Sequence, residues 1–317
     1  MSRVFLHEHN DFGSLLRIVA DEKKIDPYLV EKDYWIMHCL YGLQKMGLGF
    51  ELKGGTSLSK GYGIISRFSE DIDIRIQPPT DLKVNTNPKS TSSGQIASRK
   101  NFYDWLANKI NIDGIDVVER DYAFDDERYY RSGGIRLQYN VQTESLAGIK
   151  AGVLLEAGFD TVTPNIPKTI SSWAYDFAGE RIEIVDNRAI EVDCYHCGYT
   201  FVEKLQTIST KFRKQQEEGS FPVNFMRHYY DAYCLLAVQD VKDFIGTQDY
   251  YYHKMRRFPR SDNQDLSKNE AFILSDLATF DSYAGAYKSS ESLYYRKQPS
   301  FEELIERLRV AIREGKI

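Results

Sequence analysis

The sequence predicts an α+β protein of two lobes: a mixed sheet flanked by helices, then a mostly helical C-terminal part. Three observations predict it. The first fifty residues repeat apolar side chains at helical spacing. From Phe50 to Cys194 the rhythm turns to short alternating or apolar runs broken by Gly and Pro. After Tyr199 helical spacing returns. The lobes are expected at 1–198 and 199–317, which suits a chain of 317 residues.

The elements follow in order. Asp11 to Ala20 is amphipathic and reads as a helix. Asp26-Pro27 offers a cap and a first-turn proline for a second helix over Tyr28 to Met46, which Gly47 and Gly49 end. Phe50-Glu51-Leu52 reads as a strand entering a glycine turn, Ser57 to Tyr62 as a short helix, and Arg67 to Gln77 as a strand stopped by Pro78-Pro79. Asn85 to Ser98, rich in Ser, Thr, Asn and Lys, reads as a loop, either a solvated insertion or a lip over a substrate groove. Asn101 to Ile112 is expected as a helix. Strands are expected at 115–119, 135–141, 152–156, 182–185 and 189–194, with a loop over Thr163 to Pro167. Phe201, Leu205, Ile208 and Phe212 mark a helix face, Pro222 to Val238 a second helix, and Ser300 to Arg313 a third begun by Ser300 and Glu302-Glu303. The segment 250–297 reads as tyrosine-rich and partly helical.

The composition excludes some classes. The formal net charge is −5, so nucleic-acid contact must rest on a local patch. The longest apolar runs are too short for a bilayer and the N-terminus has no apolar signal core, so a cytoplasmic protein without membrane contact is expected. The four cysteines are too few and too scattered for a disulfide framework. Cys194-Tyr195-His196-Cys197 lacks the second ligand pair of a zinc site, and buried thiols are its plainer reading.

The chemistry concentrates in two stretches. Lys53-Gly54-Gly55-Thr56-Ser57 is a small-residue turn whose backbone and hydroxyls can hold phosphate. Asp71-Ile72-Asp73-Ile74 puts two carboxylates on one face of a strand, where they can hold a divalent metal. The pattern points to metal-assisted chemistry on a nucleotide. Glu156, a charge in the apolar run Val153 to Ala157, offers a third carboxylate. A strand-edge salt bridge is its competing reading, and Asp193 competes for the role. Lys204 can reach phosphate from a helix, or be a solvated lysine. Arg227 and Asp231, four apart, can pair with each other, or Asp231 can orient Lys204 or contact base and ribose. Tyr229 and Tyr230 suit base stacking or core packing. Arg75 shares the face of the two aspartates and can contact phosphate or neutralise them. Lys32, Asp33 and Arg67 read chiefly as solvated surface charges.

Taken in order, Glu31-Lys32-Asp33-Tyr34-Trp35, Lys53-Gly54-Gly55-Thr56, Arg67-Phe68-Ser69-Glu70-Asp71-Ile72-Asp73, Glu203-Lys204-Leu205 and Arg227-His228-Tyr229-Tyr230-Asp231 resemble the AbiEii/AbiGii-type nucleotidyltransferase toxins. The resemblance spans about residues 28–236. It implies a nucleotidyltransferase fold of the DNA polymerase β-like superfamily and a toxin of a toxin–antitoxin or phage abortive-infection system. It further implies transfer of NMP from a nucleoside triphosphate to an acceptor such as the tRNA 3′ end, with Mg²⁺ or Mn²⁺, and a cognate antitoxin. By the same resemblance Gly54, Gly55, Thr56 and Ser57 hold phosphate, Asp71 and Asp73 bind metal with Glu156 as third ligand, Lys204 contacts phosphate and Asp231 completes the site. His228 stands where the family often has an acidic residue.

RNA is the acceptor this reading expects, along a basic groove of Lys53, Lys60, Arg67, Arg75, Lys204, Lys211 and Arg213. The alternatives are nucleotidylation of a partner protein and a non-catalytic binder that keeps the fold. A P-loop kinase is disfavoured because the chain lacks G-x-x-x-x-G-K-[ST].

Overall fold

A computed structural model describes residues 3–146, 148–219, 221–222 and 224–317. The chain divides into two compact units. Unit 1 comprises Met1–Gly63 and Phe68–Tyr195, and unit 2 comprises Ile64–Arg67 and His196–Ile317.

Unit 1 begins with α1 (Phe12–Lys23) and α2 (Pro27–Lys45). Asp26 caps α2 by accepting from the Tyr28 N–H at 2.8 Å, ahead of Pro27. Then come β1 (Phe50–Lys53), α3 (Gly54–Thr56) running into a π-helical turn over Ser57–Gly61, and β2 (Asp71–Ile76). After α4 (Ser93–Lys109) follow β3 (Ile115–Arg120), β4 (Ser132–Tyr139), β5 (Val153–Gly158), β6 (Asn165–Ile170), α5 (Trp173–Gly179) and β7 (Ala189–Tyr195). Among the described residues these strands form one mixed sheet in the order β3-β4-β5-β2-β1-β7-β6. The chain is thus the expected α+β protein, built on a mixed sheet.

Ile72, Ile74 and Ile76 of β2 are buried while Asp71, Asp73 and Arg75 alternate with them, so one sheet face belongs to the core and the other to the charges. α2 packs on β2, β5 and β7, and α4 on β3 and β4. α2 is apolar nearly all round, and its three successive charges, Glu31, Lys32 and Asp33, are buried with it. Each is satisfied by a segment outside the helix. Glu31 accepts from the Gln142 and Thr143 N–H groups at 2.8 and 3.0 Å. Lys32 donates to the Lys150 carbonyl at 2.5 Å and lies 3.7 Å from Glu70. Asp33 holds Lys60 at 2.8 Å and the Trp173 N–H at 2.8 Å. The surface reading of Lys32 and Asp33 is therefore corrected: they tie chain segments around α2.

Several expected elements differ. The strand expected over 67–77 starts at Asp71, because Arg67 is drawn into unit 2. No strand occupies 182–185. Instead β6 takes the sheet edge where a loop was expected over 163–167. Pro167 is tolerated there because β6 pairs only with β7, and an edge strand can do without one ladder donor. α4 starts at Ser93, inside the expected 85–98 loop, where the Ser92 N–H donates to Gln95 Oε1 at 3.3 Å.

Unit 2 is helical. α6 (Cys197–Glu218) packs on α7 (Arg227–Leu235), α8 (Gln239–Phe244) and α9 (Gln248–Arg257), with α10 (Glu270–Ile273), α11 (Leu277–Lys288) and α12 (Phe301–Arg313) completing it. Phe201, Leu205 and Ile208 form the buried face of α6. Ser300 caps α12 by accepting from the Glu303 N–H at 3.2 Å. The helix expected over 222–238 begins only at Arg227; Val223, within that span, lies outside the described residues. The short segment Ile64–Arg67 is fixed within unit 2: the Ser66 N–H donates to Tyr230 Oη at 3.0 Å, and Arg67 bridges to Tyr294.

Candidate functional site

In unit 1 the pairing register assembles a row of charges. Lys53 of β1 stands opposite Asp73 of β2, and Asp73 stands opposite Glu156 of β5. Asp71 lies two residues earlier on the same face, so both aspartates share one side of the strand. The glycine turn meets them directly. Gly54 has φ of +71°, and a Cβ built on it would lie 2.1 Å from Asp73 Oδ2. Glycine at 54 therefore makes room for the Asp73 carboxylate and bends the chain beside it. Thr56 and Ser57 are 1% exposed, and the Thr56 hydroxyl donates to the Asp71 carbonyl at 2.5 Å. It locks the turn to the carboxylate strand.

Asp193 sits in a different row. It pairs with Glu51, which pairs with Arg75 in turn, so β1 separates it from β2. Arg75 shares the aspartates' face as expected, yet its guanidinium holds Glu51 at 2.6 Å. Among the described residues no group of three or more His, Cys, Asp and Glu side chains is placed to hold a metal ion. An open pair of carboxylates suits Mg²⁺, which keeps waters and binds through one or two carboxylates plus substrate phosphates. Lys32, a lesser candidate read chiefly as a surface charge, is buried and feels the charges of Glu70 and Asp71. Burial outweighs that attraction and lowers its pKa to about 8. The signal was available, for three charges interrupt a helix that is otherwise apolar on every side.

In unit 2 the charges centre on Asp231, which is fully buried. Arg67 grips it bidentately, with Nε to Oδ1 at 2.6 Å and Nη2 to Oδ2 at 2.7 Å, and Lys204 Nζ reaches Oδ2 at 2.8 Å. Arg67 is thus a buried anchor and not the expected surface charge. Burial pushes the Asp231 carboxyl up, but Arg67 and then Lys204 outweigh burial and hold it at about 2. Arg227 does not pair with Asp231. It joins Lys211 in raising the positive potential around His228, whose pKa falls well below the usual range through burial and then through Lys204, Lys211, Arg227 and Arg67. Both His228 ring nitrogens are buried without a hydrogen-bond partner, so this imidazole is neutral. Lys211 is lowered to about 8 by burial and by the Arg227 and Lys204 charges. Four cations thus act on His228 while Asp231 pairs with two of them, Arg67 and Lys204, which leaves a net positive cluster, the chemistry of a polyanion contact. Tyr229 and Tyr230 are buried, which favours core packing over base stacking.

The expected basic groove is reduced. Lys60 is held by Asp33, Arg67 by Asp231, Arg75 by Glu51, and Arg213 by Asp262 at 2.6 Å and Glu217 at 3.0 Å. The cysteine motif is structural: Cys194 and Cys197 are buried, burial raises the Cys194 thiol to about 11, and His196 Nδ1 accepts from the Gly198 N–H at 3.1 Å.

A mixed sheet with carboxylates aligned across β2 and β5 beside a glycine turn, flanked by helices, defines a protein of the nucleotidyltransferase-type α+β fold. The model of one family, described as "Nucleotidyl transferase AbiEii toxin, Type IV TA system", matches residues 38–307. The chain belongs to that family of type IV toxin–antitoxin toxins, which implies a cognate antitoxin. No curated protein and no solved structure matches it. Among the described residues, no helix is long and apolar enough to cross a membrane.

Proposed function

We propose that this chain is a Mg²⁺- or Mn²⁺-dependent nucleotidyltransferase that moves NMP from a nucleoside triphosphate to the 3′ end of an RNA, with tRNA the favoured acceptor, in the cytoplasm. The observation that carries the reading is the Asp73 carboxylate seated against Gly54, with Asp71 and Glu156 on the same sheet face.

In this reading Asp71 and Asp73 hold the metal. When bound, the metal neutralises charge on the triphosphate and lowers the pKa of a coordinated hydroxyl. The turn from Gly54 to Ser57 holds phosphate through backbone N–H groups, since the Thr56 and Ser57 hydroxyls are buried. Glu156 orients the acceptor hydroxyl and takes its proton. The new bond joins that oxygen to the α-phosphorus as the bond to the β-phosphate oxygen breaks, and pyrophosphate leaves. Unit 2 offers Lys204, fixed by Asp231 and near Lys211 and Arg227, as a phosphate contact of its own.

The test is incubation of the purified chain with total RNA, Mg²⁺ and each labelled triphosphate in turn. Label is expected on RNA and absent with Asp73→Asn. Label on protein alone, or undiminished label with Asp73→Asn, overturns the reading.

A further inference from the structure

Beside the carboxylate row, unit 1 holds a cavity of about 370 Å³ whose lining includes Lys53, Arg99, Arg131, Ser132, Gly158 and Asp160. Its volume lies at the small end of ligand clefts, which run about 300–1,000 Å³. The register fixes where it lies. Gly158 is two residues beyond Glu156 on β5, so it shares the carboxylate face, and Ser132 stands opposite it on β4. On the β5 side the cavity therefore lies next to the third carboxylate, and on the β1 side Lys53, which directly precedes the glycine turn, lines it.

The cavity is cationic and built in advance. Three basic side chains line it against one carboxylate. Arg99 is fully buried, yet its guanidinium donates to carbonyls: Tyr129 at 2.7 Å, Ser90 at 3.0 Å and Asn85 at 3.2 Å. Carbonyls orient a guanidinium without cancelling its charge. These bonds also pin the 85–90 segment as a wall, helped by Arg131 Nε donating to the Pro88 carbonyl at 3.1 Å. Arg131 is exposed, and its guanidinium stacks 4.4 Å from the Tyr129 ring centroid. Three cations against one carboxylate leave the cavity positive, and water screens a partly buried field little.

We propose that this cavity receives the RNA nucleotide bearing the accepting hydroxyl, with its phosphate held by Arg131 and Lys53. The proposal rests on the nucleotidyl-transfer reading, and it assigns the 85–90 segment to acceptor recognition. The donor triphosphate then takes the Gly54–Ser57 turn, which adjoins the cavity at Lys53.

The test compares the full chain with Arg131→Glu and Ser132→Trp, the first reversing a charge and the second filling the cavity. Binding of a labelled single-stranded RNA is measured by anisotropy without triphosphate, and KM is measured separately for RNA and triphosphate. Both variants are expected to weaken RNA binding about tenfold, the loss of one charged contact, with triphosphate KM unchanged. Arg131→Glu should also flatten the log K against log salt slope by about one. Unchanged RNA binding in both variants overturns the cavity assignment. A parallel loss of triphosphate affinity overturns it too, in favour of the donor. A wild type that binds RNA through Arg131 but adds no nucleotide overturns the transfer reading and retains the RNA contact.

Discussion

Asp231 is fully enclosed and still ionised, because two cations face it at once. Its pKa of about 2 lies below the value of about 3.9 expected in an unfolded chain. Its contribution to stability is therefore present above about pH 4 and lost as pH falls through 2. Asp231→Asn leaves Arg67 and Lys204 facing a neutral amide in a dry site. Such a broken buried pair should lower unfolding free energy by about 3–5 kcal/mol, read by denaturant titration at pH 7. Gly54→Ala tests the other unit. A methyl group at +71° would collide with the Asp73 carboxylate, so activity should vanish while melting temperature falls modestly, by about 1–3 kcal/mol equivalent. Full activity in Gly54→Ala would remove the link between turn and carboxylate. At this scale the sequence was legible where chemistry is local. Asp71 and Asp73 share a face because strands alternate. Arg67 was misread because its partner, Asp231, is 164 residues away, and no local pattern announces so distant a pair.

At the level of elements, α6 carries the clearest pH signature. Lys211 titrates near 8, well below a free lysine, because burial and the Arg227 and Lys204 charges disfavour its protonated form. The sign follows. The unfolded lysine keeps its proton up to about 10.4, so the strain of holding the charge is full below pH 8 and is relieved as pH rises between those values. Lys211→Met should raise the melting temperature at pH 7 and have less effect near pH 10. Triphosphate affinity should behave oppositely, falling in wild type as pH climbs from 7 to 9 and staying flatter in Lys211→Met. Titration calorimetry across that range checks both limbs. Elements with their own caps, α2 with Asp26-Pro27 and α12 with Ser300, were readable in sequence. β6 and α5 were not. β6 is made a strand by its partner β7 although Pro167 argues against it, and tertiary pairing overrode local propensity.

Across the whole molecule, net charge and the use of that charge say different things. The chain is acidic at −5, and much of its basic charge is engaged internally: Arg120 with Asp104 and Asp125, Arg136 with Asp121, Arg213 with Asp262, besides Lys60, Arg67 and Arg75. A protein that binds RNA with a broad basic face loses affinity steeply with salt, at about 0.9 log units per log unit of salt for each phosphate contacted in a duplex and about 0.7 in a single strand. Of the unit 1 cations assigned to the expected basic groove, Lys60 and Arg75 are held by carboxylates, while Lys53 joins Arg131 at the cationic cavity. The slope for single-stranded RNA should accordingly be shallow, about −1 to −3, where a basic groove of seven residues would give about −5. Anisotropy titrations between 50 and 200 mM salt, about a fourfold span, separate the two. A slope near −5 would mean that the internal ion pairs open to meet RNA. In that case the pairs Lys60–Asp33 and Arg75–Glu51 become the next sites to charge-reverse, because they lie in the same unit as the carboxylate row. A shallow slope would instead locate recognition in a few built contacts, as the proposed transfer to one end of an RNA requires.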